Sequence, residues 1–283
     1  MKTVYSIVGV SKQALHQHNK RQLRLDVEHQ DVLRQASVIR QRHPGLGCRT
    51  IYDLLLNVSM GRDKVERFLL GSGFRLKRKV NFLKTTQRQR SHNFPNLING
   101  LALKGINRVW QTDITYFILA EGKVFYLVFI IDVYSRRIIG HTANDHMKAE
   151  ANLECLQMAF EARAGHSLKN LIHHSDHGGQ YIDKNYLNAL RKRKIRISMG
   201  NYAWENAYTE RINGTLKNDY LTYRDIDSLS NLRKMLAKDV HAYNFERPHR
   251  ELPSRMSPMA FEEYLTTIPK CKVPTLKLFN HDK

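Results

Sequence analysis

The sequence has few cysteines and no long apolar run. The three cysteines, Cys48, Cys155 and Cys271, lie far apart and form no C-x-x-C pair. This argues against a disulfide framework or a cysteine-based zinc site and favours a reducing compartment. The longest apolar run, residues 124–131, is too short to span a bilayer, and residues 1–12 lack a secretory signal. We therefore predict a cytoplasmic protein with no membrane partner.

Acidic residues are scarce relative to basic ones. The chain of 283 residues has 46 Lys and Arg against 26 Asp and Glu, a net charge of +20. Residues 1–93 hold 19 basic and 6 acidic residues and so contribute +13 (19 − 6) of that charge. An excess of this size predicts a polyanionic partner, by default nucleic acid. A basic protein without such a partner is the alternative.

The N-terminal region, residues 1–74, has the pattern of short helices separated by tight turns. Gly9 predicts a turn and Ser11 an N-cap before a helix starting at residues 13–18, and a further helix is predicted at 29–43. With the surplus of basic residues, this pattern predicts a helix-turn-helix-like DNA-binding region. A helical hairpin used only for packing is the alternative.

Residues 75–104 are predicted to be a basic linker. The stretch from 75 to 90 has seven basic residues and no acidic one. A solvated charge run is the usual interpretation of such a stretch, but its position between two candidate DNA-binding parts favours contact with the DNA backbone. The predicted contacts are Arg75, Lys77, Arg78 and Lys79.

From residue 105 the pattern changes to that of an α/β domain. Three β-rich segments, WQTDITYFIL, KVFYLVFIIDVYS and RRIIGHTA, precede a helix at 148–164, and two strand–helix units follow. The order βββαβαβα predicts a mixed five-stranded sheet, with three antiparallel strands and then parallel crossover units, flanked by helices. This core is predicted to span residues 105–265, and residues 266–283 form a C-terminal tail.

Two acids are predicted to meet at the end of this sheet. Asp113 lies inside the first strand of the core, and Asp176, in HHSDHGGQY, ends the fourth. If these strands are parallel neighbours, both carboxylates lie at the point where the strand order reverses, where ligands usually bind.

A third acid is available from the last helix of that series. The candidates are Glu205 and Glu210 in WENAYTERINGTLK. Steps of four, three and four residues place Asn206, Glu210, Asn213 and Lys217 on one helical face. Converging carboxylates repel one another unless hard cations neutralise them, and Mg²⁺ prefers oxygen ligands. Two such ions suit phosphodiester displacement.

Four motifs together resemble the bacterial insertion-sequence transposases of the OrfB type, which have a retroviral-integrase-like DDE core. They are W-x-T-D-I-T-Y, HSDHGGQY, SMGNYAWENAYTERINGTLK and YNFERPHRELPSRMSP, and the resemblance covers about residues 30–265. It implies an RNase H-like fold and DNA cleavage and strand transfer that depend on two Mg²⁺ or Mn²⁺ ions per active site. It maps the catalytic and metal-binding acids onto Asp113, Asp176 and Glu210.

The resemblance also implies how these residues share the work. Water attacks a phosphodiester at the end of the element, and the released 3′-hydroxyl then attacks another strand. Asp113 would serve both ions, and Asp176 and Glu210 one each. The 33 residues between Asp176 and Glu210 are slightly fewer than this family commonly has, which leaves Glu205 as a rival third acid. The predicted DNA contacts in the core are Lys217, Asn213, His177, Arg191, Lys192 and Arg193.

The implied partners follow from that activity. They are double-stranded DNA, as element ends and target, other copies of the chain on that DNA, and an upstream reading-frame product fused to it, in the bacterial nucleoid. One alternative is a non-catalytic or partial transposase product that acts as a DNA-binding protein. Another is an RNase H-like nuclease that cuts without joining.

Four further residues receive structural interpretations. Asp132 is predicted to pair within the turn at residues 135–136, although a place near the metals is the alternative. His173 and His174 are predicted to divide between core and rim rather than to bind zinc. Trp204 is predicted to lie in the core, with stacking on a DNA base as the alternative.

Overall fold

The computed structural model describes residues 9, 11–76, 94–119, 122–200 and 202–279. The chain divides into two compact units, residues 1–78 and residues 79–283. Lys77, Arg78 and Lys79 lie outside the described residues, whereas Arg75 is exposed. None of the helices within those ranges has the length and apolar character needed to cross a membrane.

The described part of the first unit is helical. Its helices are α1 (Lys12–Arg42), α2 (Cys48–Tyr52) and α3 (Arg62–Gly71). The predicted N-cap is confirmed, because the Ser11 hydroxyl accepts a hydrogen bond from the N–H of Ala14 at 3.0 Å. The predicted separation of two helices was wrong, since α1 runs unbroken for 31 residues. Its sequence has neither glycine nor proline, so nothing interrupts helix propagation.

A small apolar core holds the three helices together. Val32 of α1, Ile51 of α2 and Leu69 of α3 are fully buried in it. The Glu28 carboxylate accepts hydrogen bonds from the backbone N–H groups of Ser59 (2.5 Å) and Met60 (3.0 Å). These bonds fix the loop that leads into α3.

The second unit has the predicted order of elements. Its main sheet has the order β4-β3-β2-β5-β6, with β2, β3 and β4 antiparallel and β5 and β6 parallel to β2. This confirms the expected mixed five-stranded sheet of an RNase H-like core. The elements are β1 (Ala102–Leu103), β2 (Val109–Ile118), β3 (Val124–Asp132), β4 (Ile138–Asn144), α4 (Ala149–Ala162), β5 (Ile172–Ser175), α5 (Lys184–Lys192), β6 (Arg196–Met199), α6 (Ala207–Thr215), α7 (Leu229–Phe245), α8 (Pro258–Thr267) and β7 (Leu276–Lys277).

Helices cover both faces of this sheet. Helices α4 and α5 pack on one face against Trp110 and Ile130, and α6 and α7 pack on the other against Phe129 and Ile131. Strand β3 therefore buries apolar side chains on both sides, which is why it is a nearly continuous apolar run. A Cβ atom at Gly140 would lie only 2.3 Å from the carbonyl oxygen of Cys155, so β4 and α4 require glycine where they meet.

A small ribbon joins the two ends of the second unit. Strands β1 and β7 pair antiparallel, and Leu103 and Leu278 pack with Phe261 of α8 in a separate apolar cluster. Residues 94–104 and 276–279, predicted as parts of a linker and a tail, thus form part of this unit. Strands of two residues are too short to produce an alternating pattern that could be recognised in the sequence.

Candidate active site

Asp113 lies in the middle of β2, on the sheet face covered by α6. It is half-buried, and its Oδ2 accepts a hydrogen bond of 2.7 Å from the side-chain amide of Asn213. Burial, followed by the charges of Asp176 and Glu210, raises the pKa of Asp113 to about 8. The two other acids are therefore close enough for their charges to act on it.

Asp176 follows the last residue of β5, which is the parallel neighbour of β2. Its Oδ1 accepts a hydrogen bond of 3.0 Å from the N–H of Gly178. A Cβ atom at Gly178 would lie 3.1 Å from that oxygen and 2.8 Å from Oε1 of Gln180, so a side chain here would disturb the turn. Burial raises the pKa of Asp176, and the Gly178 N–H and then His177 oppose the rise.

Glu210 is presented by α6, in the first turn of the helix. It is exposed, although partial burial raises its pKa. The start of α6 is fixed to β2 because the Asn206 amide donates to the carbonyl of Thr112 at 2.9 Å. Ile212 is buried against the sheet on the other side of the helix. Asp113, Asp176 and Glu210 are called the acid cluster below.

Glu205, the rival third acid, has a different environment. It is buried, and its carboxylate accepts hydrogen bonds from the Asn96 amide at 2.7 Å and from the N–H of Tyr202 at 3.0 Å. Its own carbonyl accepts a bond of 2.9 Å from the Gln111 amide. Glu205 therefore fixes the turn before α6, and Asp113 responds to the charge of Glu210 instead.

Lys217 lies beyond α6 in a wider π-helical turn, Leu216–Tyr220. Its Nζ is 5.1 Å from the ring centre of Tyr116. Burial lowers the pKa of Lys217, and the charge of Asp113 opposes that change. The turn is held by an ion pair of 2.5 Å between Asp219 and Arg247, which belongs to the motif YNFERPHRELPSRMSP.

The acid cluster has the chemistry of a site for hard cations. Its members supply only oxygen donors, which Mg²⁺ prefers, and Asn213 Oδ1 is a further buried oxygen without a hydrogen-bond partner. The charges of Asp176 and Glu210 act on Asp113, but the three carboxylates do not surround a common point. Over the described ranges, no three His, Cys, Asp or Glu side chains form a group that could hold a metal ion as they stand.

Comparison with known proteins identifies the family. The integrase core domain family matches residues 104–202 and, in a second form, residues 192–258. An insertion element IS600 protein of 31 kDa from Shigella sonnei is 33% identical over 73% of this chain and 76% of its own length. The transposase of insertion sequence IS904 from Lactococcus lactis is 32% identical over 60% of this chain and 67% of its own length. The chain belongs to the insertion-sequence transposases. It is thus a polynucleotidyl transferase of DNA transposition.

Two solved structures resemble this transposase more distantly. The HTLV-2 integrase catalytic core in complex with magnesium has 18% identity and a TM-score of 0.44, covering 59% of this chain and 99% of that one. A simian T-cell lymphotropic virus intasome has 15% identity and a TM-score of 0.49, covering 84% and 77%. Both scores are below 0.5, and the family assignment does not depend on them.

The predicted DNA contacts of the transposase core lie in three different environments. Lys217 and the half-buried His177 adjoin the acid cluster. Asn213 is only 5% exposed and is turned towards Asp113 instead of solvent. The exposed residues 191–193 lie at the end of α5, which leads to the amino end of β6, whereas Asp176 lies at the carboxyl end of β5. They are thus at opposite ends of the sheet.

Two structural interpretations of single residues need correction. His173 and His174 are both buried, so neither lies at the rim: His173 Nε2 is 3.0 Å from the Tyr186 hydroxyl, and His174 Nδ1 is 2.8 Å from that of Ser198. Trp204 is 42% exposed and stacks on Tyr202, so it is not a core residue. It lies in the short turn at 203–206 that precedes α6.

A buried ionic network of the transposase was not apparent from the sequence. Asp132 is fully buried, and its carboxylate accepts hydrogen bonds from the N–H groups of Tyr134 and Ser135 and from the Arg163 guanidinium. This agrees with its predicted structural role. Arg163 also pairs with Glu262, 99 residues later in the chain, which no local pattern indicates. The arginine–carboxylate network is made of Asp132, Arg163, Glu262 and Arg137.

Proposed function

We propose that this chain cuts DNA at the ends of its insertion sequence and joins the released ends to target DNA, with Asp113, Asp176 and Glu210 as the catalytic acids. The observation that carries the proposal is that Asp113 and Asp176 lie on parallel neighbouring strands and that α6, which presents Glu210, is held at Asp113 by the Asn213 hydrogen bond. Partial burial, followed by the charges of Asp176 and Glu210, raises the pKa of Asp113 to about 8. Perturbation of this kind is typical of functional sites, and no arginine in the described part of the chain forms a salt bridge with any of the three.

Asp113, Asp176 and Glu210 would hold two Mg²⁺ or Mn²⁺ ions, because these ions prefer oxygen donors. Asp113 is the best candidate for the shared ligand because the charges of both other acids act on it, and Asp176 and Glu210 would complete one site each. When bound, such ions supply activation of the attacking oxygen and neutralisation of the charge on the leaving oxygen. The buried Asn213 amide would hold the Asp113 carboxylate in one orientation through its 2.7 Å hydrogen bond.

The chain also supplies a cation of its own, Lys217, beside the reacting phosphate. Lys217 would place its ammonium group against the phosphate next to the cut, because the π turn holds it beside Asp113. Water displaces the 3′-oxygen from the first phosphodiester and leaves a free 3′-hydroxyl and a 5′-phosphate. The 3′-hydroxyl then displaces the 3′-oxygen of a target phosphodiester, and no bond between protein and DNA is needed.

Other parts of the chain would hold the DNA and its partners. The basic first unit, with Arg75 and the residues that follow it, would bind the backbone of the element ends. Pairing of two ends requires at least two copies of the chain. Fusion to an upstream reading-frame product would add further DNA-binding surface.

The test is a cleavage and joining assay on labelled DNA that carries the element's own ends, with Mg²⁺. The wild type is compared with Glu210→Gln and Glu205→Gln. We expect Glu210→Gln to lose both cleavage and joining while it keeps DNA affinity and thermal stability. Glu205→Gln should instead unfold more easily, because its carboxylate holds the turn before α6, and keep its chemistry once folded.

Three outcomes would contradict the proposal in different ways. Loss of chemistry only in Glu205→Gln, with stability unchanged, would move the third acid to that residue. Cleavage without joining would favour an RNase H-like nuclease. Binding without cleavage by the wild type would favour a DNA-binding product that lacks its own catalysis.

A further inference from the structure

A basic groove lies on the second unit, far from the acid cluster. It has a volume of about 950 Å³ and is lined by α4, by the loop that follows α4, and by α5. These helices cover the sheet face opposite α6. The loop after α4 and the end of α5 lead into the amino ends of β5 and β6, whereas Asp176 follows the carboxyl end of β5. The groove is therefore separated from the acids by both face and end.

Arg163 in the lining of this groove is paired with Asp132 and Glu262, but three exposed cations of the lining have no salt-bridge partner among the described residues. Its lining has the exposed residues Lys169, Lys192 and Arg193, against one exposed acid, Glu161. None of these three cations forms a salt bridge within the part of the chain that the structure describes. Three further basic residues close to Lys192 and Arg193 in the sequence are also exposed: Arg191, Lys194 and Arg196.

A backbone hydrogen bond links the two segments that carry these cations. Asn170 and Lys194 both adopt left-handed conformations, with φ of 67° and 56°. The N–H of Asn170 donates to the carbonyl of Lys194 at 3.3 Å, which ties the loop after α4 to the turn after α5. The Arg193 guanidinium lies 3.7 Å from the ring centre of Phe160. Left-handed backbone is common for Asn and for the residue that follows a helix, so the hydrogen bond and the contact with Phe160 are what hold the two segments together.

Stabilisation of a helix end explains only part of this charge. Cations in the last turn interact favourably with the helix dipole, and Lys192 is in the last turn of α5. Lys169, however, lies seven residues beyond the end of α4 and is directed to the same groove. The neutral amides of Gln157, Asn185 and Asn188 also line it. Ammonium, guanidinium and amide groups together are the donors that contact DNA phosphates.

We propose that this groove binds the phosphodiester backbone of a duplex DNA segment that the acid cluster does not cut. The inference rests on the proposed function, since it assumes that the core works on DNA. It adds a second contact at the opposite end of the core, so that the protein holds DNA at a distance from the reacting strand.

The experiment compares two double variants of the full chain that remove the same charge. Lys169→Gln/Lys192→Gln alters the groove, and Lys234→Gln/Lys238→Gln alters two exposed lysines of α7. Affinity for a long duplex carrying one element end is measured over a range of salt concentrations. We expect the slope of log K against log salt to become less steep by about 2 in the groove variant, since each lost phosphate contact lowers it by about 1. The α7 variant should keep the wild-type slope.

Two results would overturn the inference. Equal slopes in both variants would mean that only net charge matters. A groove variant that sediments as a different oligomer without DNA, with its salt slope unchanged, would assign the groove to a second copy of the chain. Because binding is measured without cleavage, a wild type that fails to cut element ends would overturn the proposed function, while the slopes would still decide on the groove.

Discussion

The second unit contains two groups of interacting acids that differ in their ion-pair partners. In the arginine–carboxylate network, two buried acids share Arg163, and Glu262 also contacts Arg137. In the acid cluster, the half-buried side chains Lys217 and His177 act on Asp113 and Asp176 through their charges. Hydrogen bonds and charge from Arg163 leave the pKa of Glu262 below its ordinary value although burial would raise it, whereas burial leaves the pKa of Asp132 raised in spite of Arg163. The two groups therefore differ in their ion-pair partners and not in a common direction of the pKa shift.

The largest expected effect is on catalysis. Asp113→Asn should lower strand cleavage by roughly 10³-fold or more, because a metal ligand contributes several kcal/mol to the transition state. Asp132→Asn should leave the rate per folded molecule within a few fold. Single-turnover cleavage of an end-labelled duplex, corrected for the folded fraction, measures both. Similar losses in the two variants would remove the distinction between the two groups of acids.

The next effect is on stability. Arg163→Met should lower the free energy of unfolding by about 3–5 kcal/mol, because it leaves two buried carboxylates without their shared cation. Urea unfolding of the purified chain measures this. Arg211→Met is the matched control, since its ion pair with Glu251 is largely exposed and should contribute at most about 1 kcal/mol. Equal losses in the two variants would contradict the structural role of the network.

A divalent cation should stabilise the folded protein through the acid cluster and not through the arginine–carboxylate network. At a concentration 100 times its dissociation constant, Mg²⁺ should raise the free energy of unfolding by about 2.7 kcal/mol. EDTA should remove this gain. The gain should be lost in Asp113→Asn and kept in Asp132→Asn, as measured by thermal unfolding without DNA. A gain that survives in Asp113→Asn would place the cation elsewhere.

The smallest expected effect concerns pH. Folding raises the pKa of the Asp113 carboxyl from 3.8 to about 8. The folded state therefore keeps an extra proton between these two pH values. Its contribution to stability therefore falls as pH rises from about 4 to about 8. In EDTA, Asp113→Asn should gain on the wild type by roughly 1–3 kcal/mol between pH 5 and pH 9. A constant difference across that range would mean that the folded carboxyl titrates normally.

Much of the fold could be predicted from the sequence, because long elements carry a clear pattern. The apolar run in β3 and the alternation of strands with helices after residue 148 predicted the mixed five-stranded sheet. The ribbon of β1 and β7 could not be found, since each strand has only two residues. The continuity of α1 was not predicted, because its sequence was divided into two helices although neither glycine nor proline occurs from 12 to 42.

The candidate site was predictable where topology alone decides it. The positions of Asp113 and Asp176 follow from two parallel neighbouring strands, and Glu210 lies in the first turn of the helix. The π turn that carries Lys217 was not predicted. The contact of Asn213 with Asp113 could not be predicted, since it depends on how closely α6 packs on the sheet. The outward direction of Trp204 depends in the same way on a short turn.

The contact between Arg163 and Glu262 also sets an order of events during synthesis. Until residue 262 has been made, a folded core would hold the Arg163 guanidinium with only part of its counter-charge. At about 5–20 residues per second, the ribosome needs roughly 5–20 s to advance the 99 positions from Arg163 to Glu262. The helices on both faces of the sheet can form in that time, but the ion pair between Arg163 and Glu262 can form only after α8 has been synthesised. A nascent chain stalled before α8 should therefore remain open to proteases although its entire acid cluster has already been translated.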